Sequence, residues 1–306
     1  MDTITLSDFF GIEDATALLD PSSFVFLALS ILILWIGKMV NDFCTPYSLG
    51  EELTSKDNKA IAVSFSGYML AISIILWGVL RQDIPVEDLP NVNPGKQLFL
   101  RDIGATLLWS LFGIALLQIA RIINDKVLLR RFSNVKELVE DQNIGTGAVQ
   151  AGAYIGSAFM IQAATYGETS GSLGRDILVT LAYFVVSQLA FVLFAMVYQK
   201  LSAYDLHDEI ERDNAAAGLG FGITLSAVGI ILSSYIVSSS SILGLALWFV
   251  ICVFLLSVCR FAIDRFILPG SPLDDEISKD RNWGAALIEG AAAIGLALIL
   301  STLFHS

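Results

Sequence analysis

Apolar residues in this chain come in long runs separated by short polar stretches. Eight runs approach or exceed the about 20 helical residues needed to cross an apolar layer about 30 Å thick. They lie near 23–40, 60–80, 99–120, 144–166, 177–198, 215–237, 242–263 and 283–304. Backbone groups in hydrocarbon must pair within their own segment, so the runs are expected to be α-helices. The period-two alternation of an outer-membrane barrel strand is absent. All seven prolines (21, 46, 85, 90, 94, 269 and 272) fall outside the runs, so none is expected to break a span. The expected fold is an all-α integral membrane protein with eight transmembrane helices.

The polar stretches after odd-numbered spans carry one text four times. It reads Glu52-Leu53-Thr54-Ser55-Lys56-Asp57-Asn58, then Glu137-Leu138-Val139-Glu140-Asp141-Gln142-Asn143. The third copy is Glu209-Ile210-Glu211-Arg212-Asp213-Asn214 and the fourth Glu276-Ile277-Ser278-Lys279-Asp280-Arg281-Asn282. Small residues follow each Asn at the second and fourth positions: Ala60 and Ala62, Gly145 and Gly147, Ala216 and Gly218, Gly284 and Ala286. A base followed four residues later by Asp precedes three of the copies: Lys38/Asp42, Arg121/Asp125 and Arg260/Asp264. The repeating unit is thus two helices. Two crossings return the chain to the same side, so the four units are parallel in topology.

Asp or Asn at a helix start can accept bonds from otherwise unpaired N–H groups. The expected caps are Asp57, Asn58, Asp141, Asn143, Asp213, Asn214, Asp280 and Asn282, approached by solvated Glu and Lys residues. In the second and fourth units one residue reads as inserted between Asp and Asn (Gln142, Arg281). Glycine is concentrated in the even spans, with pairs such as Gly152/Gly156 and Gly218/Gly222 that favour close helix contact. Odd spans carry Trp35, Trp109, Phe184 and Trp248 instead. This suggests a pseudo-symmetric bundle with even helices inside and odd helices facing lipid, although tight packing alone accounts for the glycines equally well.

Fourteen of the eighteen Lys and Arg residues flank the odd-to-even loops. The positive-inside rule then places those loops in the cytoplasm and both termini outside. The leader before the first span contains Asp2, Asp8, Glu13, Asp14 and Asp20 but no base, so it is not a secretory signal. It reads as a short interfacial helix or, equally, a partly ordered tail.

Composition agrees. The chain of 306 residues is 55% hydrophobic and 16% charged, with mean hydropathy +0.69, against about 25% charged residues in soluble domains. A net charge of −12 excludes nucleic acid as a partner. Cys44, Cys252 and Cys259 form neither a disulfide framework nor a metal spacing. Two histidines, His207 and His305, with no nucleophile elbow or phosphate-binding loop, give no support for an enzyme or a cofactor.

The sharpest single residue is Glu289, seven positions after its Asn and within the last span. An ionisable group there is a functional candidate by default. Gln150 holds the same position in the second unit, where Phe65 and Phe221 stand in the first and third. Glu289 could bind a cation or carry a proton, with Gln150 supplying a second oxygen; a structural hydrogen bond is the plainer alternative. The four Asp/Asn pairs could line an acidic vestibule or simply cap helices. The acidic runs Asp274-Asp275-Glu276 and Asp205 to Asp213 could dock a basic partner or be solvated faces.

Lys56-Asp57-Asn58-Lys59-Ala60-Ile61-Ala62, followed by Gly67-Tyr68, resembles the YjfL-like inner-membrane proteins, a domain of unknown function numbered 350. The usual member is half this size and carries two copies of the pattern. The resemblance implies two such domains in tandem, over 23–166 and 167–306, behind an acidic extracytoplasmic segment, 1–22. It implies a bacterial inner-membrane location and a link to envelope stress, and it supplies no functional residues. Two functions stand open: ion conduction or transport among the even helices, or a non-transporting scaffold that recruits stress-response proteins of the cytoplasm or membrane. The bilayer is the expected environment, and a homo-oligomer is compatible with the chain.

Overall fold

The computed structural model describes residues 20–81, 94–166, 172–239 and 241–303, residues 94–98 by their backbone alone. The expected leader helix lies outside the described residues. Among the described residues eight helices are long and apolar enough to cross a membrane, and there is no strand. They are α1 (Pro21–Cys44), α3 (Lys59–Leu80), α4 (Pro94–Ile123), α6 (Ile144–Thr165), α7 (Leu173–Leu201), α9 (Ala215–Ser238), α10 (Ile242–Ala262) and α12 (Trp283–Leu303). This is a multi-pass, all-helical membrane protein.

Each even span is preceded by a six-residue helix: α2 (Leu49–Thr54), α5 (Asn134–Val139), α8 (Leu206–Glu211) and α11 (Leu273–Ser278). Ser48, Ser133 and Asp205 cap the first three with side-chain oxygens. Pro272 stands at the fourth and has no side chain for the task. There Asp264 accepts from the Leu273 N–H at 2.6 Å. Asp264 lies in a single π-helical turn, Ile263–Ile267, that ends α10. Asp125 lies in the matching turn, Asn124–Leu128, that ends α4.

The even spans stand in one row in chain order. α6 packs along α3 on one side and α9 on the other, and α9 packs along α12. Glycine permits this closeness: a Cβ at Gly152 would overlap the Gly222 carbonyl, and one at Gly229 would overlap Gly156. The residues that meet the following helix lie two, five, nine and thirteen positions after the Asn, as in Gly145, Ala148, Gly152 and Gly156. Those that meet the preceding helix lie four, eight and fifteen positions after it, as in Gly218, Gly222 and Gly229. At about 100° per residue these faces are about 120° apart, so the row bends. Its concave side holds a cavity of about 420 Å³ lined from all four helices by Trp77, Gln162, Ser233 and Ser301, each nineteen positions after its Asn.

Odd spans cover the convex side. Tyr68 of α3 donates to the Gly37 carbonyl of α1 and accepts from Gln118 of α4. Trp248 of α10 donates to the Ile231 carbonyl of α9. The inside–outside division is graded. α6 and α9 are the most buried spans and α1 the least, but α12 is less buried than α4 or α7 because one of its sides meets no neighbour among the described residues.

Candidate functional site

Two polar systems stand out: the chain of caps at one end of the row, and a cluster around Glu289.

All four caps are asparagines. Asn58, Asn143 and Asn214 accept from N–H groups of the first turn through Oδ1, and Asn282 accepts from Gly284. The aspartates do not cap. Asp57 and Asp213 take the left-handed conformation just before the Asn, with φ of 50° and 63°. In the other units Gln142 and Arg281 take it, with φ of 51° and 50°. No residue is inserted, therefore. Glu and Asn are six positions apart in units one, two and four and five apart in unit three, while the Asp shifts by one.

The motif glutamate is structural as well. Asn58 Nδ2 donates to Glu52 at 2.9 Å, Asn143 to Glu137 at 2.8 Å, Asn214 to Glu209 at 2.8 Å and Asn282 to Glu276 at 2.7 Å. The expected solvated approach fails for Glu52 and Glu137, which are 2% and 5% exposed. Burial alone would raise the Glu52 pKa, but bonds from Lys56 and Asn58 outweigh it and hold the carboxyl below its ordinary value. Glu137 has no such cation, since Lys136 pairs with Asp141 at 2.8 Å. Burial therefore raises Glu137.

The same amides bind one unit to the next. Asn58 also donates to the Leu138 carbonyl at 2.7 Å, Asn143 to Ile210 at 2.5 Å and Asn214 to Ile277 at 2.8 Å. Each acceptor directly follows the motif glutamate of the next unit. The three asparagines are buried and their polar atoms are engaged, so they do not line an acidic vestibule.

Glu289 lies on α12, 4% exposed. Its Oε1 accepts from the Tyr198 hydroxyl of α7 at 3.1 Å and stands 3.0 Å from Arg260 Nη1 of α10. That last contact is an ion pair by distance but poorly aligned as a hydrogen bond. Arg260 also bonds Asp274 of α11 and lies over the Tyr198 ring, 4.9 Å from its centre. Gly220 leaves room for Glu289 Oε2, which has no hydrogen-bond partner among the described residues. Beside the carboxylate is a cavity of about 30 Å³, bordered by Thr224, Ser257, Cys259 and Ala293. That is space for one or two waters. Nearby Tyr204 stays protonated, because burial pushes its phenol to about 12.

Gln150 does not meet Glu289. It accepts from Ser64 at 2.7 Å and donates to Asp125 at 2.9 Å, and Asp125 also accepts from Asn134. α9 stands between the helices that carry Gln150 and Glu289. Each half thus has a separate polar cluster next to its π-helical turn. Sequence reasoning missed Arg260 and Tyr198 as partners of Glu289, and Asp274 as the second acid on Arg260. The signal for Arg260 was available: a lone base in the last turn of an apolar span needs an acid at equal depth.

Comparison with known proteins agrees with this architecture. The family profile described as Domain of Unknown Function (DUF350) matches residues 13–165 and again 172–304. The UPF0719 transmembrane protein of Aquifex aeolicus (strain VF5) is 24% identical over 196 residues, covering 63% of this chain and 68% of that one. The UPF0719 transmembrane protein YshE of Bacillus subtilis (strain 168) is 28% identical over 120 residues, covering 39% of this chain and 88% of its own. No solved structure matches.

Proposed function

The chain belongs to the DUF350 family, and we propose that it passes protons across the bacterial inner membrane, motif loops in the cytoplasm, by way of the cluster around Glu289. One observation carries this reading. Two carboxylates, Glu289 and Asp274, share one guanidinium, Arg260, so the cluster holds a net negative charge when all three are ionised. A proton is the smallest neutraliser, and the unpartnered Glu289 Oε2 beside a water-sized cavity is where it would sit. An ionisable group at that depth is costly to keep without a task.

A second reading, the non-transporting scaffold, is favoured by the seams between even helices. They are closed backbone to backbone, as at Gly152 against Gly222, so a path among those helices has no space there. An acidic docking face for stress-response partners has less support. Asp205 pairs with Arg131 and Asp274 with Arg260, and exposed Lys56, Lys59 and Lys136 are interleaved with exposed Glu51, Asp57, Glu140 and Asp141.

The test is proton uptake by proteoliposomes under an imposed potential, read with a trapped pH-sensitive dye. Uptake above empty liposomes that is lost in Glu289→Gln supports the proton reading. Uptake no greater than that of empty liposomes, from folded protein, sinks it and leaves the scaffold.

A further inference from the structure

The row of even helices ends on two unlike faces that match each other, and we propose that a second copy of this chain docks there, α12 of one molecule against α3 of the next. The proposal is independent of proton transport.

The argument rests on an interface already formed three times. Within the chain, position nine after the Asn of one even helix meets position eight of the next at all three seams, as Gly67 against Ala151, Gly152 against Gly222 and Ile223 against Gly290, and position two meets position four at the first two, as Ala60 against Gly147 and Gly145 against Gly218. On α12 positions two, five, nine and thirteen are Gly284, Leu287, Ala291 and Gly295. The first three are exposed, and a Cβ at Gly295 would meet nothing within 4 Å. On α3 positions four, eight and fifteen are Ala62, Ser66 and Ser73, and both serines are exposed. Bulky Leu70 and Trp77 stand exposed beside them, 55% and 49%.

The cap chain breaks off at the same place. Asn58, Asn143 and Asn214 each donate to a carbonyl of the following unit, whereas Asn282 is exposed and among the described residues its Nδ2 donates to Glu276 alone. The carbonyl that would continue the series is Leu53, which follows Glu52 in the first unit. Within one molecule it belongs to the opposite end of the row. A further copy brings it to Asn282 by the operation that relates neighbouring units. Such a contact is head-to-tail: it closes into a ring if the bend permits and otherwise extends as a chain. The Bacillus relative, of which 120 aligned residues make up 88%, is under half the length of this chain. A protein that short has room for two such units, so a row of four would need two molecules.

Site-directed cross-linking in native membranes tests this. Within the chain Gly152 faces Gly222, and the equivalent pair between copies is Ala291 and Ser66. In a Cys44→Ser background, the double variant Ser66→Cys/Ala291→Cys should form disulfide-linked dimers and larger multimers under mild oxidation. Neither single variant should do so, while co-expression of the two single variants should give dimers only. Ser66→Phe, at an exposed position the fold tolerates, should convert the purified assembly to monomers by native mass spectrometry with its helical content unchanged. Cross-linking of Ser66→Cys alone to the same extent would replace the head-to-tail contact by a two-fold one and overturn the proposal. Absence of any cross-link, with monomers throughout, would overturn it as well.

Discussion

Asn143 holds two repeats together through one side chain: its Nδ2 donates to the Ile210 carbonyl, 67 residues away, at 2.5 Å, while its Oδ1 accepts from the Thr146 N–H at the start of its own helix. The same amide bonds Glu137. A residue that reads in the sequence as a local cap is also a tie between units.

Asn143→Ala should therefore cost more than a cap. Loss of the cap costs about 1 kcal/mol, and the buried Glu137 carboxyl and Ile210 carbonyl are left without their donor, adding about 2 kcal/mol. Asn282→Ala removes a cap with no tie to another unit of its own molecule and should cost the monomer about 1 kcal/mol. Thermal unfolding in detergent would compare them. Equal losses would mean that the cross-unit bond contributes nothing.

The seams give a second contrast. A methyl at Gly222 would collide with the Ala148 backbone, whereas one at Gly104 meets nothing within 4 Å. Gly222→Ala should destabilise by about 1–3 kcal/mol through overpacking. Gly104→Ala should be neutral or slightly stabilising, because alanine is the better helix former. The same melts decide it, and equal shifts would mean that the row is not packed backbone to backbone.

Arg260 is a cation that Glu289 and Asp274 share. Arg260→Met leaves two carboxylates unpaired, one of them almost fully buried, and should cost about 3–5 kcal/mol near neutral pH. Adding Glu289→Gln should recover part of the loss. If the double variant is no more stable than Arg260→Met, the pair does not act as a unit.

Much of this was readable without coordinates, because hydrocarbon imposes a simple rule. Eight runs of membrane length had to be helices, and the fourfold text named the four asparagines. Glu52 and Glu137 were misread because charged residues beside Lys normally face water, and the Asn that buries them makes its decisive bond in the next unit. Gln150 and Glu289 were misread as partners because equal positions in a repeat fix equal depth. Whether two such residues touch depends on how many helices stand between them, and the row puts α9 there.

The contrast between Glu52 and Glu137 gives the last prediction. Lys56 and Asn58 overcome the cost of burying Glu52 and lower its pKa in the folded chain. A carboxyl so lowered contributes stability above its unfolded value, and the contribution is lost as pH falls through the folded value. Glu137 is raised by burial. Its favourable contribution exists only below the unfolded value and disappears as pH rises through the folded one, so Glu137 destabilises the fold at neutral pH relative to acid pH. Glu52→Gln should therefore lower the melting temperature at pH 7, with the gap to wild type closing toward pH 4. Glu137→Gln keeps an oxygen for the Asn143 amide and should leave the melting temperature at pH 7 unchanged or higher, with any gain also vanishing toward pH 4. Melts of the two variants and wild type at both pH values test the opposite signs. A loss for Glu137→Gln as large as that for Glu52→Gln at pH 7 would show that the missing cation at Glu137 makes no difference to its ionisation.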